Sequence, residues 1–151
     1  MILLSKMLAP ERIIDLISSK KEAALKELVH VIGTAPEVAD RKEFYREIIE
    51  REKIMSTGIG IGLAVPHVKT NSVSNFVMAI GRKPEGIQFD SLDGQPVQLI
   101  VMIGASAKQK DEFLKVLAQV VLLFRNTRFR KKIMDVKKSE QVLELIMEHE
   151  K

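Results

Sequence analysis

A chain of 151 residues, 46% hydrophobic and 29% charged, has the size and balance of one folded domain with its own core, which excludes a disordered or low-complexity protein. It contains no cysteine, so disulfides, thiolate metal sites and cysteine nucleophiles are excluded. The formal charge of +4, from 24 basic and 20 acidic residues, is too small an excess to single out nucleic acid, a membrane surface or an acidic partner.

The opening Met-Ile-Leu-Leu-Ser-Lys-Met-Leu lacks the pattern of a secretory leader, and no run approaches the ~20 apolar residues needed to cross a bilayer. The expected location is cytoplasmic, with no membrane span. Pro10-Glu-Arg-Ile-Ile-Asp-Leu-Ile predicts a short helix, with proline in the favoured first turn. Ser19-Lys-Lys-Glu22 has the form of a capping box ahead of a second helix, whose Ala24, Leu25, Leu28, Val29 and Ile32 share one face before Gly33 stops it. His30 falls near its C-terminal end and reads as structural. Asp40-Arg-Lys-Glu43 repeats the capping pattern for a third helix with Phe44, Ile48 and Met55 as its apolar stripe. Phe76 to Ile80 and Val97 to Ile103 are apolar runs too short for most helices, hence strands covered on both faces. Asp93-Gly94 predicts a tight hairpin turn between Gly86–Leu92 and the second run, with Pro96 at that strand's start or at an edge. From Gln109 the spacing of Phe113, Val116, Leu117, Val120 and Phe124 predicts a buried helix face. The seven basic residues from Arg125 to Lys138 read as a solvated helix face, since one phenylalanine makes no stacking platform for nucleic acid. Ser139 opens a last helix with Val142, Leu145 and Ile146 inward, and His149 falls in a tail expected to fray. Together these elements predict a single layered α/β domain over residues 1–151, a mixed β-sheet flanked by helices on both faces.

The chain's chemistry concentrates between Arg51 and Lys69. Gly58, Gly60 and Gly62 allow close backbone approach to a ligand, and Pro66 gives His67 a stiff, extended support. Neither common glycine-rich motif fits. The dinucleotide fingerprint G-x-G-x-x-G fails, because its last position is Leu63 or Val65, and the Gly-Lys-Ser/Thr of a P-loop is absent. A neutral imidazole beside hydroxyls, amides and cations can instead attack phosphorus and hold the group it takes. Ser56, Thr57, Gly58 and Gly60 are the candidate donors to that group, and Lys69 is either a further cation for it or a solvated rim residue. Arg51, taken alone, reads as a helix-end charge complementing the dipole. The three histidines, at 30, 67 and 149, have no metal-ligand spacing, so a metal hydrolase is disfavoured and neither metal nor cofactor is expected.

The stretch Ser56-Thr-Gly-Ile-Gly-Ile-Gly-Leu-Ala-Val-Pro-His67-x-Lys69, preceded by Arg51-Glu52, resembles the active-site segment of IIA components of the fructose/mannitol class of the bacterial sugar phosphotransferase system, a group that includes nitrogen-regulatory IIA proteins. The likeness runs from Leu8-Ala-Pro-Glu-Arg-Ile through Asp93-Gly-Gln-Pro-Val to the final helical region. It implies the same α/β architecture, with His67 accepting a phosphoryl group from a histidine-containing phosphocarrier protein and Arg51 facing the phosphate. The absence of cysteine excludes the cysteine-phosphorylated IIB role in that system. The resemblance departs at Phe113, where the family commonly has a second active-site histidine. Two functions follow: a phosphocarrier that passes the group on to a IIB component, or a regulatory module that acts on a target protein through its phosphorylation state.

Overall fold

The computed structural model describes residues 2–151. Its centre is an antiparallel pair, β5 (Val77–Ile87) and β6 (Val97–Ser106), built from the two apolar runs. Val77–Ile80 and Leu99–Ile103 are fully buried, as strands covered on both faces must be. On the outer side of β5 lies β1 (Ile13–Asp15), parallel to it. The outer side of β6 is shared by two short parallel strands, β3 (Leu63–Ala64) against Leu99 and Ile100 and β4 (His67–Thr70) against Ile103 to Ser106. The antiparallel β2 (Gly58–Gly60) closes the edge beyond β3.

Helices cover both faces, as expected. On one lie α1 (Lys21–Ile32) and α2 (Arg41–Ile54), and on the other α3 (Lys110–Phe124), α4 (Thr127–Asp135) and α5 (Ser139–His149). Strand alternation sorts the side chains between them: Met78, Ile80, Leu99, Val101 and Ile103 pack under α3 and α5, while Val77, Ala79, Ile100 and Met102 pack under α1 and α2. Each fully buried Phe or Ile contributes roughly 1.5–3 kcal/mol of apolar burial. A Cβ at Gly104 would stand 2.8 Å from the Phe44 ring, so glycine there lets α2 lie close against β6.

Several local expectations are corrected. Pro10 opens only a 3-10 turn, Pro10–Arg12, because Ile13 and Ile14 are drawn into pairing with Ile80 and Gly81 and sheet register outweighs local helix signals. The Ser19 capping box does not form, since α1 starts at Lys21 with Lys20 as its cap and no side-chain capping bond. Asp40 does cap α2, accepting the Glu43 amide at 3.0 Å. Met55 terminates α2 in extended conformation and is 62% exposed, outside the Phe44–Ile48 stripe. Gly86–Leu92 is a hairpin arm only to Ile87. The rest is a loop tied to the neighbouring edge, where the Leu92 amide donates to Gly58 O at 3.0 Å. His149 does not fray. It ends α5 with its ring 5.6 Å from Phe129.

Candidate functional site

The β3–β4 edge is one strand broken at Val65–Pro66, and the break builds the site. Pro66 has no N–H to give, but its carbonyl accepts the Ile103 amide at 2.9 Å, so the chain stays fastened to β6 on both sides of the gap. His67 then turns its ring back on the break, with Nδ1 2.6 Å from Val65 O. A carbonyl only accepts, so Nδ1 carries the proton and Nε2 keeps its lone pair free for chemistry. Burial lowers the His67 pKa below the ordinary histidine value, because a low-dielectric surround disfavours the imidazolium. The Val65 hydrogen bond and the Glu52 charge oppose that shift, and the Arg51 charge adds to it. The result is a neutral imidazole of one tautomer at neutral pH.

Strand alternation puts His67 and Lys69 on the α3 side of the sheet. There Phe113, at the first turn of α3, sets its ring 5.7 Å from the imidazole at 53°, and Lys69 Nζ stands 5.6 Å from the centre of the same Phe113 ring. Arg51, in the last turn of α2, donates from Nη1 to Met55 O at 3.0 Å, which ties its guanidinium to the helix end. His67, Arg51, Lys69 and Phe113 are thus brought into one neighbourhood.

The other candidates are arranged differently. Ser56 Oγ donates to Phe89 O at 2.8 Å and accepts the Gly58 amide at 3.1 Å. The Thr57 amide and hydroxyl both donate to the Glu52 carboxylate, at 2.8 and 2.7 Å. Gly60 belongs to the tip between β2 and β3, where Gly60, Ile61 and Gly62 all have positive φ, at 95°, 56° and 79°. The Ile61 amide there donates to Asp93 Oδ2 at 3.0 Å. These hydroxyls, and the Gly58 amide, are committed inside the protein and fix the loop; they are not free donors aimed at the imidazole. Sequence reasoning gave no role to Glu52 or to Lys21, whose Nζ lies 2.8 Å from the Glu52 carboxylate. The available signal was Glu52 following Arg51 in the quoted stretch; Lys21 was hidden inside an apparent capping box.

Exposed apolar side chains adjoin some of these residues in the chain. Ile54 and Met55 follow Arg51, Ile61 and Leu92 crown the adjoining loops, and Leu114 follows Phe113, each at least half exposed. Among the described residues, no group of three or more His, Cys, Asp or Glu could hold a metal ion, and no helix is long and apolar enough to cross a membrane.

The family model described as phosphoenolpyruvate-dependent sugar phosphotransferase system, EIIA 2, matches residues 6–149. Over 134 residues the chain is 36% identical to the PTS system fructose-specific EIIABC component of Bacillus subtilis, an alignment covering 89% of this chain and 21% of that protein. The chain therefore spans about a fifth of that relative's length. It is 31% identical over 128 residues to the PTS system fructose-specific EIIA component of Haloferax volcanii, covering 85% and 83% of the two. Among solved structures, the nitrogen regulatory protein IIA-Ntr of Neisseria meningitidis superimposes with a TM-score of 0.88 at 27% identity, covering 95% of this chain and 99% of that one.

Proposed function

The chain belongs to the EIIA 2 family of the phosphoenolpyruvate-dependent sugar phosphotransferase system, a family of phosphocarriers, and from that premise we propose that His67 Nε2 is the atom that accepts and passes on the phosphoryl group. The observation that carries this is the 2.6 Å contact of Nδ1 with Val65 O, which puts the ring proton on Nδ1 and leaves the Nε2 lone pair free, while burial keeps the ring neutral. In the step, Nε2 forms a bond to phosphorus while the N–P bond of a donor phosphohistidine breaks, and the donor ring leaves with that electron pair as a neutral imidazole. The Nδ1 proton stays on His67, and the positive charge that the ring gains is stabilised by the Val65 carbonyl. Arg51 and Lys69 face the negative phosphoryl oxygens, where charge-assisted hydrogen bonds are about twice as strong as neutral ones. Phe113 keeps water from the N–P bond.

The donor is a histidine-containing phosphocarrier protein, and the exposed Ile54, Met55 and Leu114, which adjoin Arg51 and Phe113, are where it docks. A IIB component receives the group in the transport reading. Incubation with phosphoenolpyruvate and the general phosphotransferase proteins should add one acid-labile phosphoryl group. Mass spectrometry should find it at His67, with 31P chemical shifts of an Nε2 adduct. No label with cognate donors, or an unchanged label in His67→Ala, would sink the assignment.

One observation favours a second reading. Phe113 stands beside His67 where the family commonly supplies another histidine, and an apolar wall suits a lasting phosphorylated state read by a regulatory target. Onward transfer to a fructose-type IIB domain within the time of a turnover supports the transport reading. Rapid loading without onward transfer supports the regulatory one.

A further inference from the structure

Glu52 is a carboxylate with only 7% of its residue surface exposed, and the phosphoryl chemistry makes no use of it. Taking such a charge out of water is costly unless every oxygen is matched, and here each is: Oε1 receives the Thr57 hydroxyl at 2.7 Å, and Oε2 receives the Thr57 amide at 2.8 Å and Lys21 Nζ at 2.8 Å. Lys21 is itself steadied 4.6 Å above the Phe89 ring. The bonds continue inward. Thr57 O accepts the Val65 amide at 3.1 Å, and Val65 O is the atom that holds His67 Nδ1. An unbroken line thus runs from α1 through the end of α2 and the β2 edge to the imidazole.

We propose that Glu52, anchored by Lys21, is a positioning residue which, through Thr57 and Val65, fixes the carbonyl that sets the tautomer and aim of His67. This rests on His67 being the phosphoryl acceptor. The placement in α2 explains why the same helix turn carries Arg51: the cation that meets the phosphoryl group and the carboxylate that aims the nucleophile move as one body. Errors of aim are expensive in phosphoryl transfer, where misplacement by 1 Å can cost ~10²-fold in rate.

The test uses the full chain with Thr57→Val, Thr57→Ser, Glu52→Gln and Lys21→Met. Thr57→Val removes one hydroxyl and no charge, so it should slow single-turnover transfer from the phosphorylated donor about tenfold while the donor concentration for half-maximal rate changes less than about twofold. Thr57→Ser, which keeps the hydroxyl, should restore the rate. Glu52→Gln and Lys21→Met should also slow transfer and carry the test if Thr57→Val does not fold. In the unphosphorylated protein, 15N NMR should show one Nδ1–H tautomer of His67 in wild type and a mixture in Thr57→Val and Glu52→Gln, a change that simple loss of stability does not produce. Wild-type rates with a single tautomer in those variants would overturn the proposal, as would Thr57→Ser behaving like Thr57→Val. If wild type takes no phosphoryl group at His67, the phosphocarrier assignment fails on its own, and the tautomer measurement alone decides whether Glu52 positions the ring.

Discussion

His67 stands between two unlike flanks. On the α2 side the charged groups are bonded within the protein, with Arg51 tied to Met55 O and Glu52 to Thr57. On the α3 side lies Phe113, with Lys69 Nζ at its ring, the start of a core stripe that continues through Val116, Val120 and Phe124. The difference separates two tasks that phosphohistidine chemistry requires. In the proposed reaction, aim and the Arg51 cation would come from the helix end that holds a hydrogen-bond network, and exclusion of water from the helix that belongs to the core.

The most severe way to break this division is to remove its centre. His67→Ala should abolish phosphorylation outright, read as complete loss of the acid-labile label, with both flanks left folded. Next is the polar flank: Arg51→Ala should slow transfer by roughly 10²-fold, the cost of losing one preorganised charge, while changing stability by less than about 0.5 kcal/mol. Arg51→Lys should restore only part of the rate, since lysine lacks the planar fork. Rapid-quench kinetics beside thermal melts would show both, and equal rates in all three forms would move Arg51 out of the site.

On the apolar flank, Phe113→His should make the two sides more alike and speed transfer by about tenfold or less, at a cost of about 1–3 kcal/mol for placing an imidazole in the core stripe. The same variant should lose its phosphoryl group to water faster. If it gains no speed, the missing donor is supplied by the polar flank alone. The smallest effect expected is in pH dependence. Because burial lowers the folded-state pKa of His67, the unfolded chain binds the proton first. Stability is therefore level above about pH 6.5 and falls as pH drops from there towards the lowered pKa. Phosphoryl acceptance should fall over the same lower range as Nε2 is protonated. A 1H–15N titration of His67 with a midpoint at or above about 6.5 would contradict this.

The fold's framework was legible because its signals are dense and local: the apolar runs of β5 and β6, the Asp40 cap, and the Phe113-to-Phe124 stripe each declare themselves within a few residues. What was not legible depended on partners far along the chain. Ile13 and Ile14 become a strand only because β5 is there to pair with them. Ser19 loses its capping role to the start of α1 at Lys21, whose ammonium instead turns to Glu52. At the site, the residue types around His67 pointed to phosphoryl chemistry, but the sequence could not tell which hydroxyls face outward. Ser56 and Thr57 turned inward because a buried carboxylate and a loop carbonyl needed their donors more than solvent did.

The tip at Ile61 carries a consequence of its own. A β-branched residue with φ of 56° holds its backbone against preference by about 1–2 kcal/mol, and the Asp93 carboxylate that grips the Ile61 amide opposes the recoil. Glycine would relieve that tension, yet it would leave nothing at the summit. The isoleucine instead keeps an apolar side chain 50% exposed at the summit, and with its amide held by Asp93 the conformational entropy of ordering this loop is given up once, in folding.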